Sequence, residues 1–259
     1  MTGRFEGRVC LVTGSTGIAE AAARALGREG GSVFVVSRTA EHANALADSL
    51  TADGGRASWR AADLTQEAEV EAAVVACAAE FGRLDCVYNV AGISARRFGD
   101  GPLHETTLMG WEAAISANAT STFLVCRAAV RQMRKQGSGG ALLNMSSALA
   151  TSPERRHFAT AGYAASKGAV EAFSRSIAAY YAQAGIRVNV IAPGLVATPM
   201  SERAQADSEV LAFVGQRQPL AGGVLQADDL VGTALYLLSD DARMVTGQVV
   251  AVDGGWSLG

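Results

Sequence analysis

A tyrosine and a lysine stand four residues apart in the segment Tyr163-Ala-Ala-Ser-Lys167. Residues at positions i and i+4 lie on one face of a helix, so the phenol and the ammonium are neighbours there. A free tyrosine titrates near ~10, and a cation within ~4–6 Å lowers the pKa of a phenol by roughly 1–3 units. Such a pair meets the requirement for general acid–base catalysis at a carbonyl, although the spacing by itself is common by chance.

A glycine-rich turn follows the first predicted strand. The turn reads Gly14-Ser15-Thr16-Gly17-Ile18, and Ala19 continues it into a helix. Glycines here let the backbone approach a pyrophosphate, and the helix N-terminus supplies free N–H donors. The turn is therefore a candidate dinucleotide site, although a tight strand-to-helix turn uses the same residues.

The end of the second strand discriminates between the nicotinamide cofactors. NAD enzymes usually place an acid there, ~20 residues past the glycines, to bind the ribose 2′-hydroxyl. This strand instead ends in Ser37-Arg38, whose guanidinium can pair with a 2′-phosphate. We favour NADP(H), with NAD(H) as the alternative and a merely solvated Arg38 as the simpler explanation. Asp63, followed by Leu64, ends strand three, where its carboxylate can accept a hydrogen bond from an adenine amino group.

Strand and helix patterns alternate along the whole chain. The predicted strands cover residues 8–13, 32–37, 57–62, 84–89, 140–145, 186–192 and 248–252. The predicted helices cover residues 18–30, 40–52, 66–81, 107–136, 161–184, 199–214 and 227–239. This alternation predicts an α/β fold with βαβ units and a parallel sheet. Neither a linker nor a repeat interrupts it, so residues 1–259 are predicted to form a single domain.

Polar and glycine residues fall just after the predicted strands. They are Gly14, Ser37, Asp63, Asn89, Ser147 and the pair Pro193-Gly194. Ligands of an open α/β sheet bind outside the carboxyl ends of the strands, where the strand order reverses. The sequence therefore predicts one functional site at this edge.

The composition excludes several classes of protein. The chain has 259 residues, of which 18% are charged, and its net charge is −3. This balance does not suit a nucleic-acid or membrane-surface binder held by charge. No apolar run reaches the ~18 residues of a membrane span, and the first residues carry charge where a signal peptide is apolar. We therefore expect a cytoplasmic protein.

The cysteines and histidines indicate no metal chemistry. The 4 cysteines are scattered, which predicts buried free thiols. The 3 histidines have no partner at the spacing of a metal ligand, so no metal site is predicted.

Taken together, the motifs resemble the short-chain dehydrogenase/reductase family in its single-domain form of about 250 residues. The resemblance covers nearly the whole chain and rests on Thr13-Gly14…Gly17-Ile18-Ala19, Asn89-Val90-Ala91-Gly92, Asn118, Asn144-Met145-Ser146-Ser147, Tyr163-Ala-Ala-Ser-Lys167, Pro193-Gly194-Leu195-Val196-Ala197-Thr198 and Asp253-Gly254-Gly255. It implies a Rossmann-type, doubly wound parallel sheet of seven strands with helices on both faces. It also implies a homotetramer or homodimer.

The resemblance assigns roles to single residues. Tyr163 is expected to be the acid–base and Ser147 to hydrogen-bond the substrate oxygen, with Ser146 as the alternative hydroxyl. Lys167 is expected to hold the nicotinamide ribose and tune Tyr163, and Asn118 to support a water chain to Lys167. The expected cofactor contacts are Gly14, Ser15, Thr16, Gly17, Ile18, Ser37, Arg38, Asp63, Leu64, Asn89, Ala91, Gly92, Tyr163, Lys167, Pro193, Gly194, Val196 and Thr198.

Three departures from the family pattern bear on this site. The first turn lacks one residue of the usual T-G-x-x-x-G-x-G, and Ala19 stands where the last glycine would. Val90 replaces the second Asn of N-N-A-G. Ser147 precedes Tyr163 by 16 residues, more than is typical, and the extra length lies in residues 152–158.

The predicted function is that of a reversible NADP(H)-dependent oxidoreductase acting on a ketone or secondary alcohol. Two alternatives stay open: a binding or regulatory protein disabled by the short turn, and an epimerase or dehydratase. Among relatives the chain looks most like the 3-oxoacyl-thioester reductase branch. However, residues 178–184 at the end of the long helix offer no basic side chain to read an acyl carrier protein.

Charged loops suggest the kind of substrate. Arg96-Arg97 and Arg155-Arg156 follow strands four and five, and His157 adjoins the second pair. Guanidinium groups at these positions can clamp a carboxylate or phosphate, which predicts a polar or anionic small-molecule substrate. The alternative is that all four arginines are solvated loop charges.

Overall fold

A single sheet of seven parallel strands organises the computed structural model, which describes residues 3–259. The strands are β1 (Val9–Thr13), β2 (Ser32–Ser37), β3 (Arg56–Ala61), β4 (Cys86–Asn89), β5 (Gly140–Met145), β6 (Ile186–Pro193) and β7 (Val249–Val252). Their order is β3-β2-β1-β4-β5-β6-β7, so it reverses between β1 and β4. Thr13 is in register with Asn89 at that point. The predicted Rossmann-type sheet is confirmed.

The strand sequences explain their places in the sheet. All residues of β1 are buried because helices cover both faces of a central parallel strand, which favours continuous apolar runs. By contrast, no residue of β3 is fully buried, and within residues 3–259 this strand pairs only with β2, as an edge strand does. Its weaker apolar pattern in the sequence follows from that position.

Helices cover both faces of the sheet. They are α1 (Ile18–Arg28), α2 (Ala40–Ala52), α3 (Glu67–Phe81), α4 (Leu108–Ala114), α5 (Ser121–Gln136), α6 (Ala161–Tyr181), α7 (Glu202–Gln205), α8 (Ser208–Arg217) and α9 (Val231–Leu238). One apolar layer contains residues of α1, α2 and α9, such as Leu26, Leu46 and Leu235. The other contains residues of α3, α5 and α6, such as Val74 and Val125.

Two predicted helices are interrupted. The helix predicted over 107–136 contains a π-helical segment, Ile115–Thr120, between α4 and α5. The helix predicted over 199–214 is a 3₁₀ turn followed by α7 and α8, which begins after Asp207. The Asp207 carboxylate accepts the N–H groups of Glu209 and Val210, and this N-cap starts a new helix.

The helical stretch from Leu108 to Gln136 passes the length and hydropathy criteria of a membrane span. No uninterrupted apolar run had indicated this, because polar residues are spaced through it. More than half of its most apolar window is buried inside the fold, where Val125 and Ala129 pack in the layer that also contains α3. This packing is that of a core helix.

Candidate active site

The glycine turn lies at the carboxyl end of β1, at the reversal of strand order. Gly14 has φ of 96° and Gly17 has φ of 57°, a conformation that side chains disfavour. A Cβ at Gly14 would lie 3.1 Å from the Cβ of Ala19, so the methyl that replaces the family's last glycine fills the space that Gly14 leaves. Glycine at position 14 therefore leaves room for the Ala19 methyl.

The turn presents a row of backbone donors. No residue within 3–259 accepts a hydrogen bond from the backbone N–H groups of residues 15 to 20. Gly17, the N-cap of α1, has no side chain to do so, and consecutive free N–H groups at a helix N-terminus suit a phosphate. This donor set fits the pyrophosphate of a dinucleotide, even with one residue fewer.

The ends of β2 and β3 lie beside this turn. Ser15 Oγ donates to Ser37 Oγ at 3.0 Å, which ties the turn to β2. Asp63 Oδ1 accepts from Thr65 N and Thr65 Oγ1 at 2.9 and 2.7 Å, and these bonds, with the nearby charge of Arg38, hold the pKa of Asp63 below its usual value. Arg38 is exposed and has no hydrogen-bond or ion-pair partner among the described residues.

The loop after β4 is held against β1. Thr13 Oγ1 accepts from the backbone N–H groups of Val90 and Ala91 at 3.0 and 3.2 Å. Asn89 was predicted to contact the cofactor, but its side chain points into the core. It is buried and donates to Asn144 Oδ1 at 2.9 Å. Val90 packs against the core, which is compatible with the loss of the family's second Asn.

The π-helical segment positions Asn118. This side chain is fully buried, accepts from Ile93 N at 2.9 Å and donates to Ile93 O at 3.1 Å. It also donates to Ser166 Oγ at 3.0 Å, so it joins the loop after β4 to α6. A Cβ at Gly92 would lie 2.5 Å from Asn118 Oδ1 and 3.5 Å from Lys167 Nζ. π-segments of this kind are frequent at functional sites.

Lys167 and Tyr163 lie on the first turns of α6. Lys167 Nζ is 5.6 Å from the centre of the Tyr163 ring and donates to Met145 O at 2.9 Å. Burial lowers the pKa of Lys167 to about 8. Burial also raises the pKa of Tyr163 above its usual value, and the nearby Ser147 hydroxyl only partly opposes this. The pKa of Tyr163 is therefore raised rather than lowered as the i, i+4 spacing predicted, because desolvation is the largest effect on the phenol.

The two candidate serines face different surroundings. Ser147 caps a short 3₁₀ turn, where its Oγ accepts from Leu149 N at 3.2 Å, and its hydroxyl lies near enough to the Tyr163 phenol to oppose the rise in that pKa. Ser146 Oγ instead donates to the buried carboxylate of Glu171 at 2.7 Å. The geometry thus brings Ser147, and not Ser146, to the phenol.

The loop after β6 covers the glycine turn. A Cβ at Gly17 would lie 2.9 Å from Cγ2 of Thr198, so the two segments touch. The loop is held by Gln218, which is fully buried and donates to Leu195 O and Gly223 O at 3.1 and 2.7 Å. Pro193 is buried at the end of β6, and Val196 is buried in a bridge with Leu225.

A cavity of about 330 Å³ adjoins the turn of α6 that carries Tyr163. Its lining includes the apolar side chains of Leu103, Leu149 and Phe158 and two charged ones, Glu154 and Arg155. The Glu154 carboxylate is occupied by three backbone N–H groups of residues 156–158, and these bonds keep its pKa low against the effect of burial. Arg155 is the cation that lines this cavity.

The remaining predicted cations have other environments. Half-buried Arg96 donates to the carbonyls of His157 and Ala159 at 3.1 and 3.2 Å, and burial lowers its pKa. Arg97 stacks on Phe98, and Arg156 pairs with Glu209. The four arginines therefore do not form one clamp. Arg155 is the remaining candidate for binding an anionic substrate.

Sequence reasoning missed several buried polar residues that hold the site. Asp100, Asn144, Glu171 and Gln218 are all less than one-tenth exposed and hydrogen-bond to segments of the site. Only Asn144 lay in a quoted motif. Glu171 was a polar residue within an apolar helical segment, whereas Asp100 and Gln218 lay in polar or glycine-rich sequence that gave no signal.

Comparison with known proteins identifies the family. The chain matches the family model described as enoyl-(acyl carrier protein) reductase over residues 12–257. It is 36% identical over 256 residues to D-threitol dehydrogenase of Mycolicibacterium smegmatis, covering 98% of this chain and 95% of that protein. It is 38% identical over 254 residues to cis-4-hydroxycyclohexanecarboxylate dehydrogenase of Sinomonas cyclohexanicum, covering 98% of both.

A solved structure agrees with these relatives. Gluconate 5-dehydrogenase from Burkholderia cenocepacia, in complex with NADP and tartrate, superposes with a TM-score of 0.90 at 32% identity, covering 99% of this chain and 97% of that one. The chain belongs to the short-chain dehydrogenase/reductase family. It is an oxidoreductase of the kind that acts on alcohols and carbonyls with NAD(P)(H).

Proposed function

We propose that this protein interconverts a secondary alcohol and a ketone with NADP(H), through Tyr163, Ser147 and Lys167. The observation that carries the proposal is the meeting of these three side chains beside the cavity, although they come from the end of β5 and from α6. The Ser147 hydroxyl lies near the phenol and opposes the rise in its pKa, and Lys167 Nζ lies 5.6 Å from the centre of its ring.

The residues at the sheet edge fit the dinucleotide. The N–H groups of residues 15 to 20 would hold the pyrophosphate, and Lys167 would hold the nicotinamide ribose. The Thr198 loop would cover the nicotinamide. When bound, NADP(H) supplies or accepts the hydride at the carbonyl carbon.

The chain's own groups handle the proton. Tyr163 donates its phenolic proton to the substrate oxygen during reduction and accepts it during oxidation. Ser147 donates a hydrogen bond to the same oxygen and stabilises the developing negative charge. Among residues 3–259, Lys167 has one acceptor for its three N–H groups, Met145 O, so two donors remain that would hold the ribose.

Support for NADP(H) comes from the end of β2. Arg38 is exposed and unpaired among the described residues, and no carboxylate follows β2 to repel a 2′-phosphate. A guanidinium binds phosphate through charge-assisted hydrogen bonds. The related gluconate 5-dehydrogenase was solved with NADP, which agrees with this preference.

The cavity favours a hydroxy acid with an apolar body. Leu103, Leu149 and Phe158 offer apolar contact, and Arg155 offers a partner for a carboxylate. Two relatives point the same way, since one is named for a hydroxycyclohexanecarboxylate and another was solved with tartrate. We therefore propose a carboxylate-bearing alcohol or ketone as the substrate class.

The acid–base assignment is tested with Tyr163→Phe, which removes the transferable proton and keeps the ring. Turnover of a responsive substrate, found by screening alcohols and ketones with both cofactors, should fall by at least ~100-fold. The Kd for NADPH, measured by its fluorescence, should change little. Tyr181→Phe, near the far end of α6, is the matched control and should keep full turnover. More than a tenth of wild-type turnover in Tyr163→Phe would contradict the assignment.

The substrate class is tested with Arg155→Ala. Removing one charge-assisted hydrogen bond, at about 1.5–3 kcal/mol, should raise KM for 4-hydroxycyclohexanecarboxylate by at least ~10-fold and leave KM for its methyl ester nearly unchanged. The control is Arg156→Ala, because that side chain pairs with Glu209. An equal change in KM for acid and ester refutes the carboxylate contact.

A further inference from the structure

The first turn of α6 is capped by residues from another part of the chain. Thr160 occupies the N-cap position, but its Oγ donates to Phe158 O and accepts no N–H of the helix. Instead, Ala161 N donates to Gly101 O at 3.0 Å. The N–H groups of Gly162 and Tyr163 donate to the two carboxylate oxygens of Asp100, each at 2.8 Å.

Asp100 is itself firmly held. It is 6% exposed, and no Lys, Arg or His within residues 3–259 forms an ion pair with it. Its backbone N–H bonds Ala95 O, and α4 packs so closely that a Cβ at Gly110 would lie 2.4 Å from Asp100 N. The carboxylate is therefore stabilised by the N–H groups and the positive end of the α6 dipole.

This geometry bears on the phenol. The two oxygens of the Asp100 carboxylate each accept one of two consecutive N–H groups. Because the carboxylate is held rigidly, these two bonds fix both the position of the first turn of α6 along its axis and its rotation about that axis. The second of those N–H groups belongs to Tyr163 itself. A displacement of a reacting group by about 1 Å can cost ~100-fold in rate, so fraying of this turn would be felt in turnover.

The same loop also forms part of the cavity. Gly101, Pro102 and Leu103 line it together with Ala161 and Ala164 of α6. The contact of Asp100 with α6 therefore fixes the position of this cavity wall relative to the Tyr163 phenol.

We propose that Asp100 is a positioning residue for Tyr163, acting through the backbone of α6 without touching substrate or cofactor. This inference rests on the proposed function, in which Tyr163 is the acid–base. It assigns to a residue 63 positions upstream the placement of the proton-transferring group.

The test uses two variants. Asp100→Ala removes both carboxylate oxygens, whereas Asp100→Asn keeps one acceptor oxygen and serves as the second variant if Asp100→Ala does not fold. The kcat per folded molecule should fall by ~10- to 100-fold in the first and by a smaller factor in the second. The Kd for NADPH should stay within about twofold, because the glycine turn is unchanged. Amide hydrogen exchange at Gly162 and Tyr163 should become faster in both variants.

The matched control is Asp85→Asn, since Asp85 is 2% exposed and accepts Val9 N at 2.9 Å at the opposite edge of the sheet. It should lower stability without lowering kcat per folded molecule. Wild-type kcat in both Asp100 variants, with Tyr163→Phe inactive, overturns the positioning role alone. Loss of kcat and NADPH affinity in parallel also overturns it. An active Tyr163→Phe overturns the proposed function and this inference together.

Discussion

Arg38 and Asp63 follow the carboxyl ends of β2 and β3 and differ in their hydrogen-bond partners. Asp63 is occupied by Thr65, whereas Arg38 is exposed without a partner among the described residues. Arg38→Ala should therefore weaken NADPH binding by about 1.5–3 kcal/mol, roughly 10- to 100-fold in Kd. NADH binding should hardly change, because that cofactor has no 2′-phosphate. Fluorescence titration with both reduced cofactors measures the difference.

The control for Arg38 is Arg56→Ala. Arg56 begins β3 at the amino edge of the sheet and stacks on Phe81, so it shares the charge but not the position. It should leave both dissociation constants unchanged. The NADP(H) preference is refuted if Arg38→Ala weakens both cofactors equally, or if the wild type binds NADH more tightly.

Local spacing predicted the residues whose partners are near in sequence. Tyr163 and Lys167 share a helix face, and Arg38 follows directly from the end of β2. Asp100 could not be assigned in this way, because its partners lie 62 and 63 residues away and only the fold joins them. The pKa of Tyr163 was mispredicted for a related reason: the depth of burial is a property of the folded chain.

At the scale of elements, the contact between α1 and the loop after β6 depends on Gly17. Its φ is 57°, and a Cβ there would lie 2.9 Å from Thr198 Cγ2. Gly17→Ala should cost about 1–3 kcal/mol of unfolding free energy through backbone strain. It should also displace the Thr198 loop and raise the Kd for NADPH by at least ~10-fold, or 1.4 kcal/mol. Urea denaturation and fluorescence titration give the two values.

Gly54→Ala separates strain from contact. Gly54 has φ of 86°, and nothing lies within 4 Å of a Cβ built there. This variant should lose comparable stability and keep its affinity for NADPH. If both variants lose NADPH affinity alike, the Thr198 contact does not shape the cofactor site.

Periodicity predicted the strands and most helices, because buried faces impose it on the sequence. It did not reveal the π-helical segment Ile115–Thr120. A π-turn contains about one residue more than an α-turn, and over so short a segment the apolar spacing still looks like that of an α-helix. The insertion nevertheless sets where Asn118 points, and with it the link from Ile93 to Ser166. The break before α8 was missed because the apolar spacing continues across Asp207, whose cap decides the boundary.

At the scale of the whole molecule, a buried polar network joins the elements that carry the site. Asn144 of β5 accepts from Asn89 of β4 and donates to Ser174 of α6 at 2.9 Å each. Cys126 of α5 donates to the same Asn144 Oδ1 at 3.3 Å. Four elements from different parts of the chain thus share one side chain.

Truncation of that side chain should therefore cost more than an average core substitution. Asn144→Ala removes the acceptor of Asn89 and the donor to Ser174 and leaves a cavity in a site that is fully buried. Each polar group that loses its partner in such a place costs about 1–3 kcal/mol, so the free energy of unfolding should fall by roughly 2–4 kcal/mol. Urea denaturation at one protein concentration measures it.

Ser174→Ala calibrates this loss within the same network. It removes one partner of Asn144 and leaves the Asn89 bond in place, so it should cost about 1 kcal/mol. Asn144→Ala should therefore cost more than Ser174→Ala, because it removes both of these hydrogen bonds. A loss below ~0.5 kcal/mol in Asn144→Ala, the range of ordinary surface substitutions, would mean that the network does not hold β4, β5 and α6 together.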